Sequence, residues 1–234
     1  MLRETGVLQP LPTAAPVRGV CLDCDGVLVD SESLSASVLT AMLLEQGIEF
    51  GAAEALTLLR GRQVATWVAE LFAALPLAGS PEAFVPDYRA RVSAAYRREL
   101  RPEPHAQELL DRIEVPYSIV SNAPGWKISE GLDCAGLDAS SASSYVSAYD
   151  LQSWKPEPTV YLEAAAGLGV PAEHCIAVED SDAGIRAAHA AGMRVLHYAR
   201  EETIPTHPMA VARSRSHRQT CLLLTTLATQ GAAV

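Results

Sequence analysis

Lysine is almost absent from this 234-residue chain: sixteen arginines stand against two lysines, Lys127 and Lys155. Positive charge is scarce altogether, because 28 acidic residues leave a formal net charge of −10. No basic stripe exists, which speaks against a nucleic-acid partner. No apolar run reaches the ~20 residues that cross a bilayer, so no membrane association is expected. The first sixteen residues hold three prolines and no apolar segment of the kind a signal peptide needs, and read as a flexible tail. The five cysteines (Cys21, Cys24, Cys134, Cys175 and Cys221) are odd in number and scattered. They exclude a disulfide framework and fit reduced thiols in a cytoplasm. Cys21 and Cys24 make a C-x-x-C, but within a strand pattern rather than at the helix start a redox motif uses, and no second pair completes a zinc site. The six histidines show no metal-ligand spacing, and no internal repeat is visible.

What is present describes a soluble globular protein: 49% hydrophobic and 20% charged residues. An acidic protein of this kind that handles an anionic substrate must attract it locally, through a metal or a few placed cations. The segment 17–22 reads as a short strand that runs into Asp23-Cys24-Asp25-Gly26, with Gly26 permitting a sharp turn. Strand alternation would send Asp23 and Asp25 to one side. Ionised carboxylates in a low-dielectric site cost several kcal/mol, roughly, unless paired or metal-bound. The tetrapeptide alone also fits an ordinary acidic turn, so partners elsewhere must decide.

After Asp30 the apolar period changes from two to 3.6, with Leu34, Val38 and Met42 forming a stripe, Asp30 to Ser33 as cap candidates and Gly47 as a stop. Helical patterns continue over 52–59, 64–75 and 82–100 without a convincing strand. From about residue 101 strand and helix alternate: helix 105–113, strand 117–121, helix 126–132, strand 144–147, helix 158–168, strand 175–179, helix 182–191 and strand 194–197. This predicts an α/β fold, a Rossmann-like doubly wound parallel sheet core with an inserted α-helical cap domain. The expected boundaries are a tail over 1–16, the core over 17–31 and 101–234, and the cap over 32–100. The stretch after Pro208 carries no clear assignment. In open sheets of this type the ligand site lies beyond the carboxyl ends of the strands.

Two further segments sit at such ends, and a third lies in a proline-fixed loop before a helix. Strand 117–120 leads into Ser121-Asn122-Ala123, where a hydroxyl and free amides can hold a phosphate oxygen or simply make a turn. Strand 175–178 leads into Glu179-Asp180-Ser181-Asp182, which could face Asp23 or serve as an acidic helix start. Lys155 stands in Trp154-Lys155-Pro156-Glu157-Pro158, a compact charge either solvated or suited to an oxygen shared between nucleophile and phosphoryl group.

Taken in order, Asp23-Cys24-Asp25-Gly26-Val27-Leu28-Val29-Asp30-Ser31-Glu32, Ser121-Asn122, Lys155-Pro156-Glu157-Pro158 and Glu179-Asp180-Ser181-Asp182-Ala183-Gly184-Ile185-Arg186-Ala187-Ala188 resemble the haloacid dehalogenase superfamily of aspartate-nucleophile phosphatases. The likeness spans about residues 17 to 197, and the helical insert resembles that family's smaller cap. The resemblance implies Asp23 as nucleophile and Asp25 as general acid and base, with an elevated pKa for Asp25 favoured by the neighbouring carboxylates. Ser121 and Lys155 would bind phosphoryl oxygens with help from Asn122. Mg²⁺ would sit between Asp23, the carbonyl of Asp25 and Asp180, with Glu179 bound directly or through water. Other chemistries of the superfamily fit less well. Phosphonate hydrolysis needs a cap lysine, and none lies between Asp30 and Arg101; dehalogenases lack the second aspartate, which is present as Asp25. Sugar-phosphate mutases such as β-phosphoglucomutase carry a histidine twelve residues after the nucleophile, where this chain has Ser35, so water is the favoured acceptor. A non-catalytic binding protein of the same fold is the remaining alternative, disfavoured because every expected polar position is filled. In the cap, Leu59-Arg60-Gly61-Arg62-Gln63 resembles a loop facing the active site, so Arg60 and Arg62 either contact substrate or are solvated helix-end arginines. Segment 151–158 resembles bacterial 6-phosphogluconate phosphatases, pointing to a small phosphorylated sugar or sugar acid. Phosphoglycolate phosphatases share the general pattern. The expected protein is a monomer or weak dimer.

Overall fold

The computed structural model describes residues 16–60 and 62–230. The tail expected over 1–16 therefore falls outside the described residues save for Pro16, as does Gly61 of the cap loop.

The elements run β1 (Gly19–Asp23), α1 (Ser31–Glu45), α2 (Ala52–Leu59), α3 (Val64–Ala74), α4 (Pro81–Glu99), α5 (Ala106–Arg112), β2 (Tyr117–Ser121), α6 (Gly125–Ala135), β3 (Ser144–Ser147), α7 (Ala148–Leu151), α8 (Thr159–Leu168), β4 (Cys175–Glu179), α9 (Asp182–Ala190), β5 (Arg194–Tyr198), β6 (Ala212–Ser214) and α10 (His217–Gln230). The strands form a single parallel sheet in the order β3-β2-β1-β4-β5-β6. Successive strands move outward from β1 to β3, and β4 then returns to the other side of β1. The topological switch point thus lies between β1 and β4, where open α/β sheets bind their ligands.

β1, β2 and β4 are buried along their whole length. Burial on both faces accounts for the unbroken apolar stretches 20–22 and 175–178. Alternation appears instead in which layer each side chain joins. Val20, Leu22, Ile119, Ile176 and Val178 pack with the layer that holds Leu39, Leu109, Ile128 and Leu227. Cys21, Val120, Ala177 and Val195 pack on the opposite face against Val160, Tyr161, Ile185 and Ala188 of α8 and α9. The sheet is doubly wound, as its pattern predicts.

The four helices α1–α4 are contributed by the segment between β1 and α5, and no strand interrupts them. Trp67 packs edge-on against Tyr88 with centroids 5.1 Å apart, and Phe72 meets Phe84 likewise at 5.6 Å. These aromatic pairs join α3 to α4. Asp30 precedes α1 but its side chain makes no capping bond; the serine after it is drawn into the site instead. Gly47 does end α1, at φ +76°. The unassigned stretch after Pro208 supplies the edge strand β6 and helix α10, which packs on α5. Among the described residues no helix is long and apolar enough to cross a membrane. All five cysteines are free thiols.

Candidate active site

The carboxyl ends of β1, β2 and β4 open into a cleft roofed by α3 and α4. Register fixes this: Asp23 lies opposite Val120 on β2, while Leu22 lies opposite Val178 on β4. The residues just past those partners, Ser121 and Glu179, are therefore brought beside Asp23. Asp25 is not placed by strand alternation, because β1 ends at Asp23. The chain turns at Gly26 (φ +81°), the Gly26 amide donates to the Val29 carbonyl at 2.9 Å, and Asp25 is carried toward β2 and α6. A methyl group on Gly26 would stand 2.3 Å from a carboxylate oxygen of Asp180, so only glycine lets motif loop and carboxylate meet.

Lys155 is buried between two acids. Its ammonium donates to Asp23 at 2.5 Å, to Glu179 at 2.6 Å and to the Val120 carbonyl at 3.3 Å. Its protons are thereby accounted for, and burial's pull toward the neutral amine is overcome by Asp23 and Glu179, which push its pKa up. Asn122 holds the loop in place by accepting the Lys155 backbone amide at 2.9 Å. Glu179 is fully buried. One oxygen accepts from Lys155 and from the Tyr161 hydroxyl at 2.5 Å; the other accepts from Ser181, both backbone and hydroxyl. Tyr161 lies on α8 and its role in orienting Glu179 carries no signal in the sequence beyond an aromatic within an apolar helix.

Asp25 contradicts one expectation. Burial favours its neutral form, yet the Lys127 ammonium and hydrogen bonds from Ser31 (2.5 Å) and Ser121 (3.1 Å) outweigh it and hold its pKa below the ordinary carboxylate value. Two hydroxyl donors and the nearby Lys127 ammonium outweigh whatever the neighbouring carboxylates contribute. The elevated cleft carboxyls are Asp23, Asp180 and Glu32; the first two matter most for the site. Burial lifts both, with Glu179 next for Asp23 and Glu32 next for Asp180. Asp23, Glu179 and Asp180 present oxygen atoms that all lie within 4.8 Å of one another. Such a convergence of hard oxygens, compensated only in part by Lys155, fits a small divalent cation. The glycine cradle that admits Asp180 supports the same reading.

The two cap arginines are treated differently by the fold. Arg60 donates to Glu32, an acid of the cleft lining, at 2.7 Å. Arg62 does line the cleft, but its guanidinium bonds Glu70 at 2.5 Å. Both acids are distant in sequence, Glu32 by 28 positions and Glu70 by eight, so these pairings are not readable from the loop itself. The remaining cleft wall is aromatic: Trp67, Tyr88 and Tyr96 from the helical segment, with Trp126 and Tyr149 from the α/β layer. Arg89 of α4 donates to Tyr149 at 2.7 Å, while Ser93 and Arg97 donate to Glu130 of α6, both at 2.6 Å. These bonds tie the roof to the sheet layer.

Comparison with known proteins places the chain among relatives of the same design. A family model described as haloacid dehalogenase-like hydrolase matches residues 17–192. The 6-phosphogluconate phosphatase of Escherichia coli K12 is 32% identical over 184 residues, covering 78% of this chain and 82% of that protein. A phosphoglycolate phosphatase of Xanthomonas campestris pv. campestris is also 32% identical, covering 75% of this chain and 80% of its own length. A haloacid dehalogenase-like protein of unknown function from Agrobacterium tumefaciens superposes with a TM-score of 0.76 at 28% identity, over 91% of this chain and 99% of that one.

Proposed function

The chain belongs to the haloacid dehalogenase-like hydrolase family and is a phosphoric monoester hydrolase; we propose that its substrate is a small phosphorylated sugar or sugar acid, hydrolysed through an aspartyl-phosphate on Asp23. The observation that carries this is the buried Lys155 bridging Asp23 and Glu179 at 2.5 and 2.6 Å. A lysine so placed orients one oxygen of the nucleophile and leaves its partner for attack on phosphorus. Ser121 and the amides after it line the same end of the cleft and would receive phosphoryl oxygens, with Asn122 keeping the Lys155 loop in register.

Asp25 is the proton carrier in this reading. It would give a proton to the departing alkoxide and then take one from water, so that the covalent phosphate is released and Asp23 regenerated. Ser31, Ser121 and Lys127 fix its carboxylate in place. They also set it as a weak base in the resting enzyme, so its proton arrives with substrate. Asp23 and Asp180, with the backbone carbonyl of Asp25, would hold Mg²⁺, and Glu179 would act from behind them because its oxygens already accept hydrogen bonds. Bound there, the ion would offset phosphate charge and lower carboxylate repulsion. The likeness to the two phosphatases named above supports the substrate class. The free, largely buried cysteines support a reducing compartment such as the cytoplasm. Monomer or weak dimer is the assembly we assign.

The test is phosphate release from a panel of sugar and sugar-acid phosphates with Mg²⁺, beside Asp23→Asn. Turnover by the wild type with at least a ~10³-fold loss in the variant is expected, the scale set by removing a covalent nucleophile. An Asp23→Asn protein as active as wild type would end the aspartyl-phosphate reading. Interconversion of hexose 1- and 6-phosphates without net phosphate release would favour a mutase instead.

A further inference from the structure

We propose that Lys127, with Tyr96 and Ser35, forms an anion subsite beside Asp25 that receives a carboxylate carried by the leaving group. Acid-bearing phosphomonoesters are then favoured over their neutral counterparts. The inference rests on the phosphatase reading and narrows its substrate class.

Both of the chain's lysines end in the same cleft. Lys155 is consumed there by Asp23, Glu179 and a carbonyl. Lys127 is not consumed. Its ammonium lies 3.9 Å from the Asp25 carboxylate, beyond hydrogen-bond distance, and that carboxylate is already satisfied by Ser31 and Ser121. The ammonium also lies over the Tyr96 ring, 5.4 Å from its centre. An ammonium has three donors, so some remain for the cleft, into which 26% of the side chain is exposed.

Two more hydroxyls lie around Tyr96. The Ser35 hydroxyl lies 3.5 Å from the Tyr96 hydroxyl, and the Tyr88 hydroxyl donates to the Ser35 carbonyl at 3.4 Å. Ammonium, phenol and hydroxyl thus gather on one stretch of a cleft that Trp67, Tyr88 and Val92 also wall. Charge-assisted hydrogen bonds in such apolar surroundings are stronger than neutral ones. The position is on the leaving-group side, because Asp25 separates it from the Asp23–Lys155 end. Of the other cleft cations, Arg62 is paired with Glu70, and Arg89 donates to the neutral Tyr149 on the cleft wall. A carboxylate matches a single ammonium. A second phosphate, with a charge of about −1.5 to −2, would face Asp25, Glu32 and Glu130 with that one cation beside it.

The experiment measures kcat and KM for phosphate release, with Mg²⁺, on two matched pairs differing by a carboxylate against a hydroxymethyl group. The pairs are 2-phosphoglycolate with 2-hydroxyethyl phosphate, and 6-phosphogluconate with glucitol 6-phosphate; p-nitrophenyl phosphate is the reference. The wild type is expected to prefer the acid member of at least one pair by about tenfold, mainly through KM, the size of one charge-assisted hydrogen bond. Lys127→Met should erode that preference and Lys127→Arg should restore part of it. A wild type without preference overturns the inference while leaving the phosphatase reading intact, and needs no variant. Equal losses on both members in Lys127→Met also overturn it, because they mean that the lysine acts only through Asp25. A folded wild type silent on all five compounds ends the phosphatase reading and this inference with it.

Discussion

Single residues in this protein are paired by placement rather than by type. His217 is fully buried at the start of α10, its imidazole 2.7 Å from the Val27 carbonyl in the loop that follows Asp25, and it stacks on Tyr198 at 4.5 Å. Burial drives its pKa down to about 4, with the Val27 bond opposing only in part. The folded state therefore keeps His217 neutral while the unfolded chain protonates it near 6.5. Stability contributed by the neutral ring is complete above that value and is lost as pH falls toward 4, at no more than about 1.4 kcal/mol per pH unit. Urea midpoints between pH 7 and 4.5 should fall more steeply for wild type than for His217→Gln; parallel slopes would show that this histidine does not couple to folding. Lys155 was readable as a candidate because lysine is rare here. Its partner Glu179 was readable as an acid at a strand end, but not as the buried acceptor of Lys155, Tyr161 and Ser181 together.

At the scale of elements, β4 and α9 show how tightly the site is built. Ser181 caps α9 by accepting the Gly184 amide at 3.1 Å and also donates to Glu179 at 3.1 Å. The first turn of α9 therefore rests against the Glu179 carboxylate. A methyl group at Gly184 would lie 1.9 Å from a Glu179 oxygen. Gly184→Ala should shift Glu179, loosen Lys155 and cost roughly 1–3 kcal/mol as an overpacked core does. Reduced urea midpoint together with reduced kcat is the expected result; an unchanged protein would mean that the helix moves aside freely. The glycine itself stands in a motif visible in the sequence, whereas the reason for it is a contact across five positions that only the folded turn creates. Strand and helix order was legible because buried parallel strands are continuous apolar runs bounded by polar turns. The edge strand β6 was not, since Ala212–Ser214 is three residues long and only partly buried.

For the whole molecule the governing fact is the placement of charge. The chain carries a net −10, and part of that excess is concentrated where Asp23, Glu179 and Asp180 converge. A divalent cation bound there stabilises the folded form by mass action, about 2.7 kcal/mol at a hundredfold excess over its Kd. Mg²⁺ should therefore raise Tm in wild type and do so far less in Asp180→Asn, with chelator reversing the shift. Identical Mg²⁺ responses in the two proteins would locate the ion elsewhere. The aromatic roof, tied down through Glu130 and Tyr149, makes the same cleft apolar over a charged floor. In the proposed function the floor would receive the phosphate and the walls the rest of the substrate.

Residue order alone settles the sheet and helix order, the acids at the ends of β1 and β4 and the candidate lysine, because these depend on local periodicity and on residue types that are expensive to bury alone. Only the tertiary structure decided how the charges pair. It turned Asp25 toward Ser31, Ser121 and Lys127 and so lowered its pKa, bound Arg60 and Arg62 to Glu32 and Glu70, and set Lys127 under Tyr96. Those outcomes depend on through-space distances between residues far apart in the chain. Electrostatic energy follows that distance and the local burial, and neither is written in residue order.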